Sequence, residues 1–216
     1  MKILSLLMLG VVIGVMALSG YKINKKDKQM NEEIGLDKAV ATFGAGCFWC
    51  VEAVFQRLEG VEKVESGYMG GATKNPTYKE VCTGTTGHVE VTRITYDPKK
   101  LSYEELLEVF WKTHDPTTLN RQGNDIGTQY RSVIFYHDDT QKALAEKYKT
   151  ELNAAHIYNA PIITAIEPKK EFYVAEDYHQ NYFNENGSQP YCQMVVRPKV
   201  EKFEKVFKDK LAKKKQ

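Results

Sequence analysis

The segment that most restricts the fold runs from residue 39 to residue 58. Ala39-Val40-Ala41-Thr42-Phe43 is a β-prone run, Gly44-Ala45-Gly46 interrupts it, and Val51, Val54, Phe55 and Leu58 then recur at helical spacing. This predicts a strand, a glycine turn and a helix, with Cys47 at the helix head. Free backbone N–H groups and the positive end of the helix dipole stabilise a thiolate there, so a lowered Cys47 pKa is expected. Gly44 and Gly46 are expected to let a substrate approach the sulfur closely. The alternative is a buried, inert cysteine.

Further strands are predicted at Val61–Tyr68, His88–Tyr96, Ser132–Tyr136 and Ile162–Ile166. In the second of these, Val89, Val91, Arg93 and Thr95 face one way, and Glu90, Thr92, Ile94 and Tyr96 the other. Gly70-Gly71 with Asn75-Pro76 reads as a loop. Helices are predicted at Tyr103–Trp111, capped by Ser102 with Glu105 three residues on, at Asp139–Ala155, at Ala175–Phe183 and at Lys199–Leu211. Asp115–Gln129 is a long loop of the kind that is either functional or disordered. There are no internal repeats. The alternation points to an α+β two-layer sandwich, helices packed on a mainly antiparallel sheet, and leaves strand order open.

Residues 1–20 differ in character from the rest: Lys2 precedes an apolar run from Ile3 to Leu18 broken only by Ser5, Gly10 and Gly14. They read as a signal peptide, with Ala17 and Ser19 as the small residues before a cleavage point, or as a membrane anchor if uncleaved. Tyr21 stands where a lipoprotein would carry its cysteine. Export to the periplasm, cell envelope or beyond is expected, with a cytoplasmic-side membrane-anchored form as the alternative. Residues 21–37 form a polar spacer, residues 38–212 a single domain, and residues 213–216 a solvated basic tail. A net charge of +2 with dispersed lysines argues against a nucleic-acid partner.

Cys47 and Cys50 form a C-x-x-C pair on one helical face, while Cys82 and Cys192 stand alone. A redox pair is feasible. A structural zinc needs four ligands, and neither a second C-x-x-C nor a ligand pair including His88 or His179 completes a set. No metal is expected. Taken singly, Phe48 and Trp49 fit core positions as well as an apolar wall, Glu90 a solvent-facing strand site, Tyr78 and Tyr130 half-buried tyrosines, and Asp125 a turn.

Gly46-Cys47-Phe48-Trp49 at a helix head resembles the signature of the A-type peptide methionine sulfoxide reductases. The likeness extends through Gly67-Tyr68, Gly70-Gly71, Asn75-Pro76-Thr77-Tyr78, Val81-Cys82-Thr83-Gly84 and Thr86-Gly87-His88-Val89-Glu90-Val91. It continues in Asp115-Pro116-Thr117, in the run from Gln122 to Ser132, and in Ala175-Glu176-Asp177-Tyr178-His179-Gln180, so that it covers about residues 38 to 207. One position departs: Cys50 stands where the family commonly has glycine.

The resemblance implies a ferredoxin-like plait and reduction of the S-epimer of methionine sulfoxide, free or in oxidised peptides and proteins, as protein repair. By resemblance Cys47 attacks the sulfoxide sulfur, Glu90 gives the departing oxygen its proton, and Tyr78, Tyr130 and Asp125 complete the oxygen-binding cluster. Such an oxygen gains negative charge, so phenols and a protonated carboxyl suit it, and Glu90 must have a raised pKa. Phe48 and Trp49 would hold the substrate methyl group. Cys47 is left as a sulfenic acid, which a resolving thiol converts to a disulfide. Cys192, expected on a mobile tail, and Cys50 are both resolving candidates, and Cys82 is expected to be a small buried or loop residue. No bound cofactor is implied; electrons come from thioredoxin or a thioredoxin-like protein, or from dithiothreitol in vitro, to a monomeric enzyme. Two rival classes remain: a thioredoxin-like disulfide oxidoreductase, in which Glu90 has no role, and an exported module that binds methionine-rich segments without turnover.

Overall fold

The computed structural model describes residues 38–213. Strand β1 (Ala39–Ala45) leads into helix α1 (Phe48–Phe55), followed by β2 (Val61–Met69), α2 (Tyr78–Cys82), β3 (Val89–Tyr96) and α3 (Tyr103–Thr113). The hairpin β4 (Arg121–Gln122) and β5 (Asp125–Ile126) precedes β6 (Ser132–Tyr136), α4 (Asp139–Ala154), β7 (Ala165–Pro168) and β8 (Tyr173–Val174). Helices α5 (Tyr182–Glu185) and α6 (Arg197–Val206) close the described chain. The main sheet has the order β7-β6-β1-β3-β2-β8. Its inner four strands, β6-β1-β3-β2, are all antiparallel and form a ferredoxin-like plait, and only β7 runs parallel to its neighbour β6.

Strand β3 is central, and the alternation in its sequence becomes two buried faces. Ile94 and Tyr96 join Ala41, Phe43, Phe55, Leu106 and Phe110 in the main core, where the Phe43 and Phe110 rings lie 5.0 Å apart. Val89 and Val91 pack with Met69, Val133 and Phe135 on the opposite face. Each such side chain contributes about 1.5–3 kcal/mol on burial, so a buried carboxylate in this strand, Glu90, is the exception that calls for a chemical reason. Helix α3 starts at the expected capping box: Ser102 accepts the Glu105 N–H, and Glu105 accepts the Ser102 N–H at 2.8 Å.

The elements differ from expectation in several places. Helix α2 follows the expected loop in a stretch for which no element is predicted, and Thr77 and Glu80 form a second capping box at its start. The strand expected at Ile162–Ile166 begins only at Ala165, because the Ile162 N–H is bound to Asn153 Oδ1 at 2.8 Å and the Ile163 N–H to the Pro116 carbonyl at 2.9 Å. The helix expected at Ala175–Phe183 is a 3-10 turn, Asp177–His179, and the short α5, divided by Asn181 in the left-handed conformation. The closing helix starts two residues earlier than expected, after a π-helical turn at Cys192–Val196, and ends at Val206; Leu211 instead bridges to Leu58. The long loop is ordered by β4, β5 and a 3-10 turn at Thr128–Tyr130.

The expected signal or anchor (1–20) and spacer (21–37) lie outside the described residues, as does the basic tail except Lys213. Among the described residues no helix is long and apolar enough to cross a membrane.

Candidate active site

The turn from β1 into α1 places Cys47 at the position that caps α1. Gly46 makes this turn with φ +89°, and a Cβ there would stand 2.6 Å from Gln122 Cβ. At Gly44 a Cβ would meet Val133 Cγ1 at 2.8 Å. Both glycines therefore serve close packing, and the expectation that they open a path to the sulfur is corrected.

The head of α1 has free N–H groups, and one of them goes to a carboxylate: Phe48 N–H donates to Glu90 Oε2 at 3.0 Å. Glu90 is 1% exposed. Burial pushes its carboxyl up to about 8, against the pull of the Phe48 N–H and with the charges of Asp125 and Cys50 adding to the rise. Near neutrality Glu90 is thus mostly an acid, the state that proton donation requires.

The expected lowering of the Cys47 pKa is not what the site does. Burial pushes its thiol well above the ordinary value, the hydrogen bond to Cys50 and the charges of Cys50 and Glu90 push the same way, and Tyr191 opposes them. The helix end is already engaged by Glu90, and the sulfur is itself buried. Cys50 moves the other way: the hydrogen bond from Cys47 lowers it, against burial, with help from the charge of Lys199. Cys192 is not on a mobile tail. It is fully buried at the start of the π-helical turn, in one cluster with Cys47, Cys50, Phe48, Tyr68 and Val196. Burial and the charge of Cys50 raise its thiol. Cys82, expected to be buried or in a loop, is exposed at the end of α2.

Around these thiols stands a group of rings. Trp49 stacks on Tyr182 with centroids 3.7 Å apart and planes at 8°, and its indole N–H donates to His179 Nδ1 at 3.2 Å. Phe48 packs 5.0 Å from the His179 ring and 6.4 Å from Tyr78. The Tyr78 N–H is anchored on Glu176 Oε1 at 2.8 Å. Burial and then the charge of Glu90 raise both Tyr78 and Tyr130 well above the ordinary phenol range, so both phenols are neutral near neutrality. Asp125 enters through a partner: the Tyr191 hydroxyl donates to Asp125 Oδ2 at 2.8 Å and also hydrogen-bonds Cys47.

All nine residues singled out from the sequence thus converge on one place. Tyr191, Tyr182 and Glu52 were not singled out. Tyr191 adjoins Cys192, which is the one signal the sequence offers; His179 stands in the run Ala175–Gln180 that carries the resemblance, without a role of its own there, and here it anchors the Trp49 indole. Among the described residues no group of three or more His, Cys, Asp or Glu side chains is placed to hold a metal ion. What the arrangement offers is a thiol beside a neutral carboxyl and neutral phenols, two further thiols to form a disulfide, and an apolar wall.

Comparison with known proteins agrees with this chemistry. The family model described as peptide methionine sulfoxide reductase matches residues 39–211. A peptide methionine sulfoxide reductase MsrA from Natronomonas pharaonis is 56% identical over 173 residues, 80% of this chain and 97% of the relative. One from Leptospira borgpetersenii is 58% identical over 163 residues, 76% of this chain and 92% of the relative. The crystal structure of Mxr1 from Saccharomyces cerevisiae in reduced form superposes with a TM-score of 0.66 at 36% identity, covering 73% of this chain and 90% of that one. Methionine sulfoxide reductase A of Corynebacterium diphtheriae gives 0.63 at 38% identity, covering 70% and 76%.

Proposed function

The chain belongs to the peptide methionine sulfoxide reductase family and is an oxidoreductase acting on methionine sulfoxide; on that premise we propose that Cys47 attacks the sulfur of the S-epimer while Glu90 protonates the departing oxygen. The observation that carries this reading is the buried Glu90 carboxyl, raised to about 8 and fixed on the Phe48 N–H beside the residue that bears the thiol. As the S–O bond breaks, the oxygen gains negative charge, and a neutral acid together with the phenols of Tyr78 and Tyr130 stabilises it. Asp125 holds Tyr191 against Cys47. Phe48 and Trp49 receive the substrate methyl group, and the opposed polar and apolar sides favour one epimer.

The proton balance follows from the groups present. The Cys47 thiolate bonds to the sulfoxide sulfur, Glu90 gives its proton to the oxygen, and the oxygen passes to Cys47 as a sulfenic acid with release of the thioether; the proton first released by Cys47 returns to Glu90. A second thiol then bonds to the Cys47 sulfur, and its proton leaves with the hydroxyl as water. Cys50 closes this first disulfide: it lies three residues after Cys47, in the first turn of α1, and shares a hydrogen bond with it. Cys192 exchanges next and passes the disulfide to a thioredoxin-fold reductant, the protein acting as a monomer. The apolar run at residues 1–20 supports action outside the cytoplasm or at its membrane.

A variant carrying both Cys50→Ser and Cys192→Ser tests the first step. Mixed with the S-epimer it should release one equivalent of methionine and keep a sulfenic acid on Cys47 that dimedone captures. Methionine release without an adduct on Cys47 would remove Cys47 from the step.

A further inference from the structure

Glu52 is a buried carboxylate that the reaction does not use. It lies on α1 three residues after Trp49 and is 1% exposed. Both its oxygens are bound to backbone far along the chain: Oε1 accepts the Asn181 N–H at 2.8 Å and Oε2 the Tyr182 N–H at 3.3 Å. Burial pushes the carboxyl up to about 7, opposed by these two N–H groups, and the charge of Glu185 adds to the rise.

The turn that Glu52 grips is left-handed at its centre. Asn181 has φ 53° and ψ 28°, a left-handed conformation that asparagine adopts more readily than most residues with a side chain. On either side of it are the two groups that hold Trp49. His179 accepts the indole N–H, and the Tyr182 ring lies flat on the indole at 3.7 Å. One carboxylate therefore ties the helix that carries Trp49 to the turn that carries both of its neighbours.

We propose that Glu52 is a positioning residue for substrate selection: by fixing the backbone of Asn181 and Tyr182 it presses Tyr182 onto Trp49 and sets the width of the apolar wall that receives the substrate S-methyl group. The proposal rests on the role assigned to Trp49 above. An apolar pocket distinguishes one methylene by roughly 10–200-fold, so the width of this wall is measurable as a preference for a methyl over an ethyl sulfoxide. Gln in place of Glu52 keeps the volume but leaves one oxygen for two N–H donors, with its NH2 facing the second.

The test compares kcat/KM for the S-epimers of N-acetyl-methionine sulfoxide and N-acetyl-ethionine sulfoxide in wild type, Glu52→Gln, Tyr182→Ala, the double variant and Trp49→Ala. Glu52→Gln should lower the methyl-over-ethyl ratio by roughly tenfold, mainly through a higher KM for the methyl substrate, with kcat within about threefold of wild type. Tyr182→Ala should do the same, and the double variant should go no further, because Glu52 acts through Tyr182. An unchanged ratio in Glu52→Gln while Trp49→Ala collapses it overturns the proposal and spares the wall. An unchanged ratio in Trp49→Ala overturns the wall and the proposal together. Additive losses in the double variant also overturn it, since Glu52 then acts by another route. Should Glu52→Gln not fold, Glu52→Asp, which keeps the charge and withdraws it by one methylene, takes its place in the same cycle with the same expected loss.

Discussion

Replacing Glu90 with Gln keeps the shape and the ability to donate a hydrogen bond, and removes the proton that can be transferred. Burial, opposed by the Phe48 N–H, raises the carboxyl to about 8. At pH 7 about nine molecules in ten then carry the acid, against roughly three in a thousand for a carboxyl at the ordinary value, a gain on the order of 300-fold. A positioned general acid contributes about 10²–10⁴-fold, so the turnover of the Gln variant should fall by that factor in single-turnover release of methionine. The pH profile carries a sharper signature. The productive form has Cys47 ionised and Glu90 protonated, while the thiol is pushed well above its ordinary value. Below pH 8 the share of that form grows as Cys47 ionises; above about 8 Glu90 ionises in step and the growth stops. Wild-type kcat/KM should therefore rise and level off at about 8, whereas the Gln variant should keep rising until Cys47 itself is ionised. A variant within about threefold of wild type, or one with the same break near 8, refutes the assignment.

Three further outcomes follow from the geometry. Cys50→Ser should slow disulfide formation after the first turnover and Cys192→Ser should slow recycling by thioredoxin, as read by mass mapping of disulfides; full-rate recycling in Cys50→Ser would contradict the order proposed. Tyr191→Phe removes the hydroxyl that favours the Cys47 thiolate, so alkylation of Cys47 by iodoacetamide at pH 8 should slow severalfold, and acceleration would contradict it. Gly46→Ala forces a Cβ into a φ of +89° and within 2.6 Å of Gln122; a loss of about 1–3 kcal/mol is expected, or several degrees in Tm by circular dichroism, and an unchanged Tm would contradict the packing argument.

The local signals in the sequence were those that survive into the structure. Periodicity located β3 and α3, and the Ser102 and Glu105 pair located the start of α3, because these depend on neighbours within one turn or along one strand. The Thr77 and Glu80 pair carries the same signal at the start of α2. What local patterns did not carry were bonds made at long range. The Ile162 and Ile163 N–H groups find partners outside any strand, and the turn at Asn181 is held by Glu52, 129 residues away. The Cys47 pKa departs from expectation chiefly because the thiol is buried, a consequence of tertiary packing that no local pattern shows. A helix end lowers a thiol when its N–H groups face the sulfur, and here Glu90, from another strand, is bound to the first of them. The convergence of Cys47, Glu90, Tyr78, Tyr130, Asp125 and Cys192 was legible only through the family resemblance.

The most direct test of the central claim follows thiol-driven loss of the separated R and S epimers of N-acetyl-methionine sulfoxide with wild-type and Cys47→Ser protein. The account predicts that wild type consumes the S epimer alone and that Cys47→Ser consumes neither. Consumption of the R epimer at a comparable rate, or appreciable turnover by folded Cys47→Ser protein, would contradict it.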